Sequence, residues 1–137
     1  MADENKIFDV EIITPDRIFY KGEASMIEFN TSEGEIGVYK KHIPLTTVIA
    51  PGIVTIYEEE KEVTAAVYSG FAEILPDKVT LLAEIAECPD EIDTARAEAA
   101  KKRAEERLTH KTEAIDVKRA EFALRKALVR LDVADRK

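Results

Sequence analysis

The sequence predicts two differently built parts: an antiparallel β-sandwich over residues 1–88 and a two-helix hairpin over residues 89–137. Three observations predict this. Apolar residues alternate with polar ones in short runs before residue 89, a period of two that suits half-buried strands. Turn-forming residues interrupt those runs every several positions, with no helix-period segment between them, which argues for a sandwich and against βαβ units. From Glu91 onward the period changes to three and four, and alanine and charged residues dominate.

Ile7 to Ile13 alternates, with Phe8, Val10 and Ile12 on one face and Asp9 and Glu11 on the other. Thr14-Pro15-Asp16 turns the chain into a short strand, Arg17 to Tyr20, ended by Lys21-Gly22. Ala24 to Asn30 alternates again, and the turn at Thr31 to Gly34 leads to a strand through Tyr39. Lys40 to Pro44 is a loop. Leu45 to Ala50, Ile53 to Tyr57 and Glu62 to Ser69 are further strands, with Pro51-Gly52 as a break and Glu58 to Lys61 as a charged hairpin tip. Gly70 to Leu75 and Val79 to Ala86 form a last hairpin, with Pro76 suited to the second position of a type I turn. A sandwich of roughly 85 residues is near the lower limit for a self-sufficient core.

Pro89-Asp90-Glu91 marks the boundary, with Asp90 as the expected N-cap. Helix one is expected over about Glu91 to Leu108 and helix two over about Glu113 to Val133. Thr109 to Thr112 is short enough to force them antiparallel. Val117, Ala120, Leu124, Ala127, Leu128 and Leu131 make one apolar stripe, facing Ile92, Ala95, Ala99, Ala100, Ala104 and Leu108. Alanine on both faces permits close approach while burying little area, so the hairpin is compatible with opening.

The 137 residues are 45% hydrophobic and 35% charged, the profile of a soluble globular chain. No apolar run approaches the roughly 20 residues that span a bilayer, and the acidic start is expected not to be a signal peptide. Residues 1–88 carry 7 Lys/Arg against 17 Asp/Glu, a net of −10, whereas residues 89–137 carry 13 against 11, a net of +2. The acidic first part disfavours nucleic acid as a partner. A basic tail calls for an acidic one.

Cys88 is the only cysteine, so neither an intramolecular disulfide nor a cysteine-based metal site can form. It reads as a small buried apolar residue. His42 and His110 stand in unrelated loops, and there is no phosphate loop, HExxH or nucleophile elbow. Neither catalysis nor a metal is expected. Asp93 and Arg96 have the spacing of a helical i,i+3 ion pair worth about 0.3 kcal/mol. Arg119, Lys126 and Arg130, spaced by seven and four, line one side of helix two, either as a solvated face or as an anion site.

These motifs come together in one pattern. Glu33-Gly34-Glu35-Ile36-Gly37-Val38-Tyr39, His42-Ile43-Pro44-Leu45-Thr46-Thr47 and Pro51-Gly52 precede Ser69-Gly70-Phe71-Ala72-Glu73-Ile74, Lys78-Val79-Thr80-Leu81-Leu82-Ala83 and Ile92-Asp93-Thr94-Ala95-Arg96-Ala97. In that order the chain resembles, over essentially its whole length, the epsilon-subunit family of bacterial F-type ATP synthase, and most of all its Bacillus-like members. The resemblance implies a sandwich of about ten strands and a non-catalytic rotor subunit of the central stalk. Its partners would be the gamma subunit, the membrane c-ring and the alpha/beta catalytic head. Such a subunit is peripheral, on the cytoplasmic face of the bacterial plasma membrane, and meets the membrane only through the complex.

By the same resemblance, Glu33, Glu35, Lys40, Lys41 and His42 would face the c-ring, with Lys40-Lys41 standing where a Pro-Gly is common. The hairpin would either fold or extend into the head, where Lys118, Arg119, Arg125, Lys126 and Arg130 would meet acidic segments of the beta subunits and block ATP hydrolysis. The folded hairpin would bind ATP as a regulatory ligand, without magnesium and with no obligatory cofactor. Glu87, Ile92, Asp93, Arg96, Ala97, Arg103, Lys126 and Arg130 stand at the family's ATP-binding positions. Lysine at 126, where strong binders have arginine, keeps the charge and loses the bidentate fork. The alternative is a purely structural coupling subunit with a permanently folded hairpin and a vestigial ATP site.

Overall fold

A computed structural model describes residues 6–110 and 116–136. The chain divides into two compact units, Met1–Glu87 and Cys88–Lys137.

The first unit is one continuous sheet folded over a single core. Its strands are β1 (Phe8–Thr14), β2 (Arg17–Ala24), β3 (Met26–Thr31), β4 (Gly34–Val38), β5 (Leu45–Ile49), β6 (Gly52–Tyr57), β7 (Glu62–Val67), β8 (Gly70–Leu75), β9 (Lys78–Ala83) and β10 (Ala86–Glu87). The lateral order is β10-β7-β6-β3-β5-β8-β9-β1-β2, with β4 paired to β3. Inward residues of the alternating strands, among them Ile12, Ile27, Phe29, Ile56, Ile74 and Leu81, are fully buried. The expected sandwich of about ten strands is present.

Three details differ from the sequence reading. β2 does not stop at Lys21-Gly22. Those residues pair with Glu11 and Val10, and the ladder continues to Ala24. The run to Ala86 splits into β9 and β10, and β10 pairs with β7 instead of β8. β1 lies parallel to β9, with Val10 opposite Val79 and Ile12 opposite Leu81. Alternation encodes which face is buried and carries no information about strand direction. Gly70 meets a backbone demand that no other residue could meet easily. Its φ is +139°, and a Cβ there would stand 2.0 Å from the carbonyl oxygen of Leu82.

The second unit is a 3-10 turn at Pro89–Glu91, helix α1 (Thr94–Thr109) and helix α2 (Val117–Ala134). Helix one therefore begins three residues later than expected. Asp93, and not Asp90, is its N-cap, its Oδ1 accepting from the Arg96 N–H at 3.1 Å. The expected start of helix two at Glu113 lies outside the described residues. Asp116 caps α2 in the same way, accepting from the Arg119 N–H at 3.1 Å. The helices pack along one another, and the short connection from Thr109 to Val117 makes the pair antiparallel.

Their seam is narrower than the sequence suggested. Ala97, Ala104, Ala120, Ala127, Val133 and Ala134 are buried, whereas Ala95, Ala99, Val117 and Leu128 are exposed. Leu108, Leu124 and Leu131 are half-buried at its edges.

Candidate functional site

The segment leading into α1 is built by short-range hydrogen bonds. The Glu91 carboxylate accepts from the Cys88 N–H at 3.1 Å and from the Cys88 thiol at 3.0 Å, closing the 3-10 turn. Cys88 is half-buried, less enclosed than expected. Burial, and then the Glu91 carboxylate, push its thiol pKa up. Ile92 is extended and buried, which presents Asp93 to cap the helix. With its carboxylate on the Arg96 backbone, Asp93 is a cap and not the partner of an i,i+3 side-chain ion pair.

Helical phase decides where the charged side chains stand. At 3.6 residues per turn, successive side chains are about 100° apart. Measured from the buried Ala97 and Ala104, Arg96 and Arg103 lie about 100–120° to one hand of the α1 seam. Measured from Ala120 and Ala127, Lys126 and Arg130 lie about 80–120° to the same hand of the α2 seam. In an antiparallel pair, equal handedness from the seam means the same side of the hairpin. Arg96, Arg103, Lys126 and Arg130 therefore line one face. Arg96 and Arg103 are exposed, and Lys126 and Arg130 are half-buried. The Lys126 ammonium lies 5.2 Å from the centre of the Phe122 ring, a cation–π contact that holds its stem against the helix.

The other candidates on α2 divide. Arg119 shares that basic face, whereas Lys118 and Arg125 point to the far side, about 140–160° to the opposite hand. In the sheet unit, Glu87 accepts a 2.6 Å hydrogen bond from the buried Tyr68 hydroxyl. Glu33 is at the tip of the β3–β4 hairpin, its N–H donating to Thr31 Oγ1 at 3.1 Å, and Glu35 is exposed on β4. Lys40, Lys41 and His42 belong to the loop before β5. Lys41 adopts φ +68°, the left-handed conformation that glycine takes freely, at a cost of about 1–2 kcal/mol for a side-chain-bearing residue. Its N–H donates to the Pro76 carbonyl at 2.6 Å, which ties this loop to the β8–β9 turn.

One surface was missed in the sequence. Val48 on β5 is opposite Phe71 on β8, Phe71 is opposite Leu82 on β9, Leu82 is beside Ile13 on β1, and Ile13 is opposite Ile18 on β2. The row spans five strands, about 19 Å at strand spacing, and Val48, Phe71, Leu82 and Ile18 are each 46–60% exposed. A contiguous exposed apolar band of this kind marks a protein-binding surface. Each member occupies an outward position of its strand, but only non-local register places them side by side. Among the described residues, no cluster of His, Cys, Asp or Glu could hold a metal, and no helix is long and apolar enough to cross a membrane.

The fold and these surfaces define a β-sheet unit with a protein-binding face and a separate, charged two-helix unit. The comparisons with known proteins agree. The ATP synthase Delta/Epsilon chain beta-sandwich domain matches residues 7–89, and the long alpha-helix domain of the same chain matches residues 90–135. The chain is 50% identical over 128 residues to the ATP synthase epsilon chain of Shouchella clausii, covering 93% of this chain and 95% of that one. It is 51% identical over 126 residues to that of Brevibacillus brevis, covering 91% and 96%. Among solved structures, a chain of the Euglena gracilis mitochondrial ATP synthase shares the fold, with a TM-score of 0.81 and 23% identity over 98% of this chain and 84% of that one. The chain belongs to the ATP synthase delta/epsilon family, among its bacterial epsilon chains.

Proposed function

We propose that the chain is a non-catalytic rotor subunit of the central stalk, coupling proton transport to ATP synthesis, and that its hairpin restrains ATP hydrolysis and senses ATP. The observation that carries the reading is half-identity to epsilon chains along nearly the whole length, hairpin included. In this reading the apolar band from Val48 to Ile18 docks on the gamma subunit. The loops of Glu33, Glu35 and Lys40 to His42 face the c-ring, and the complex holds the chain at the cytoplasmic face of the membrane.

The hairpin works by population shift. Its folded form gathers Arg96, Arg103, Lys126 and Arg130 on one face, the charge pattern a triphosphate needs, with Ile92, Asp93 and Ala97 at the adenine end. Ion pairing with arginine and lysine suffices for the phosphates, so magnesium is not required. ATP that binds only the folded form stabilises it by about 1.4 kcal/mol at ten times its Kd. The extended form presents Lys118, Arg119, Arg125, Lys126 and Arg130 to the acidic beta subunits of the head. Each ligand acts only through its preference for one of the two forms.

Two experiments test this. Deleting residues 89–137 raises the ATPase rate of the assembled complex. An unchanged rate overturns the inhibitory role and leaves a structural coupling subunit. In calorimetry, ATP binds the isolated chain, loses binding in Arg96→Ala and binds more tightly in Lys126→Arg. Absence of heat in all three overturns the ATP site.

A further inference from the structure

The loop of residues 39–44, between β4 and β5, concentrates features that the sheet around it lacks. In an acidic unit it carries Lys40, Lys41 and His42 in succession, flanked by Tyr39 and Ile43. Ile43 is 76% exposed, the highest value of any large apolar side chain among the described residues, and Tyr39 is 62% exposed. Leu75, at the end of β8 beside this loop, is exposed as well.

The backbone fixes this arrangement. Lys41, at φ +68°, keeps a conformation that a side-chain-bearing residue holds only where its surroundings impose it. Its N–H donates to the Pro76 carbonyl at 2.6 Å. The Nδ1 of His42 lies 2.6 Å from the Ile43 carbonyl oxygen, and facing an acceptor it carries the proton and donates. Strain kept in place by neighbours points to a role for what the loop presents. Here that is two ammonium groups between an exposed phenol ring and an exposed branched alkyl chain.

The acids at this end of the sheet decide how much of it can approach a negative surface. Asp77 is exposed in the adjoining β8–β9 turn, and Lys78 is paired with Glu11 at 3.3 Å. Glu58, Glu59 and Glu60 form the tip of the β6–β7 hairpin, which closes at the same end, since Ile27 is opposite Val38 and Met26 opposite Tyr57. That tip stands two to three strand spacings from β4, about 10–14 Å. The distance exceeds the screening length of about 8 Å at physiological salt. The corner at residues 39–43 is therefore cationic in its own right, with Lys40 and Lys41 outweighing Asp77.

We infer that this corner touches an anionic lipid surface, with Lys40 and Lys41 on the phosphate-bearing headgroups and Tyr39 and Ile43 entering the boundary between headgroups and acyl chains. The inference rests on the reading that this loop faces the c-ring at the membrane, and it adds the lipid as a second partner there. Each lysine beside a negatively charged bilayer strengthens binding about fivefold. Tyrosine suits the interface because its ring is apolar and its hydroxyl wet. Four side chains at one corner fall short of the roughly 20–30 residues a side of a stable protein interface, whereas headgroups need no matching shape. The contact is weak alone and gains its effect from assembly, which holds the chain at the membrane.

The chain has no tryptophan, so Ile43→Trp reports on this corner alone. The full chain carrying it is mixed with vesicles of phosphatidylcholine, or of phosphatidylcholine and phosphatidylglycerol in equal parts. Its emission is expected to shift to the blue with the anionic vesicles and to stay unchanged with the neutral ones. In sedimentation with the anionic vesicles, Lys40→Gln/Lys41→Gln should bind about 25-fold more weakly than the unaltered chain, and Lys102→Gln, on the hairpin, should change less than about 2-fold. No blue shift, an equal shift on both vesicle types, or a double variant that binds as the unaltered chain does overturns the inference. The corner is then read in the assembled complex. Ile43→Cys in a Cys88→Ser background, labelled with benzophenone maleimide and rebuilt into the synthase in its membrane, should crosslink to lipid. Crosslinks to c-ring protein alone overturn the lipid contact and leave the ring-facing reading standing. Crosslinks to neither overturn both.

Discussion

The sheet unit and the hairpin unit are both held by buried apolar side chains, but of very different size. The sheet encloses Phe29, Ile12, Ile27, Ile56, Ile74 and Leu81 at under 2% exposure. The hairpin seam is closed by Ala97, Ala104, Ala120, Ala127 and Ala134, with Val133 and Ile92 at one end. A buried isoleucine or phenylalanine contributes about 1.5–3 kcal/mol, against about 0.8 kcal/mol for a single buried carbon. The difference teaches which unit can move. A seam of alanines brings two helices close and separates them at low cost, while the sheet stays closed.

The largest expected effect falls on the sheet unit. Phe29→Ala should destabilise the sheet unit by about 3–5 kcal/mol, read as a lower denaturant midpoint. A loss below 1 kcal/mol would show that the core is not centred where the burial places it.

A smaller change should act on the hairpin alone. Ala104→Leu puts three extra carbons into the seam and should cost about 1–3 kcal/mol. Amide exchange should then quicken across residues 94–134 and stay unchanged across the strands. Equal quickening in both units would refute the contrast between them.

The caps sharpen the comparison within the hairpin. Asp93→Ala and Asp116→Ala should each lower its stability by about 1 kcal/mol, whereas Asp93→Asn, which can still accept from the Arg96 N–H, should cost less than half as much. Loss of ellipticity on heating measures both.

The smallest effect belongs to the sheet at high pH. Tyr20 donates to the Glu58 carboxylate at 2.5 Å, and burial followed by that carboxylate raises its pKa above the ordinary 10.0. The folded state thus holds a proton that the unfolded chain releases. The contribution is fully present below about pH 10 and is lost as pH rises through the folded pKa. Tyr20→Phe should flatten the fall in stability above pH 10, and an unchanged slope would assign that fall to other groups.

Much of this molecule was legible in the sequence because two periods differ so plainly. Phe8, Val10 and Ile12 alternate as a strand must, and Ala120, Leu124 and Ala127 recur as a helix must. The cap was misplaced because Asp90 and Asp93 are equally good residue types. Pro89 to Glu91 closes a separate 3-10 turn on the Cys88 backbone, so the helix starts only after Ile92. Ala95 and Ala99 were placed in the seam because they share its period. Ala97, two positions from each and in the same row as Ala104, is the residue that is buried. Among residues this small, composition cannot distinguish the inner face from the outer.

The sequence by itself determined the kind of each element and the acidic and basic halves, because these depend on neighbours within a few positions or on simple counting. Tertiary structure alone decided that β1 runs parallel to β9 and that Val48, Phe71, Leu82, Ile13 and Ile18 form one band. It also decided that the arginines of two helices share one side. Each of these joins residues tens of positions apart, and only long-range register and antiparallel packing bring them together.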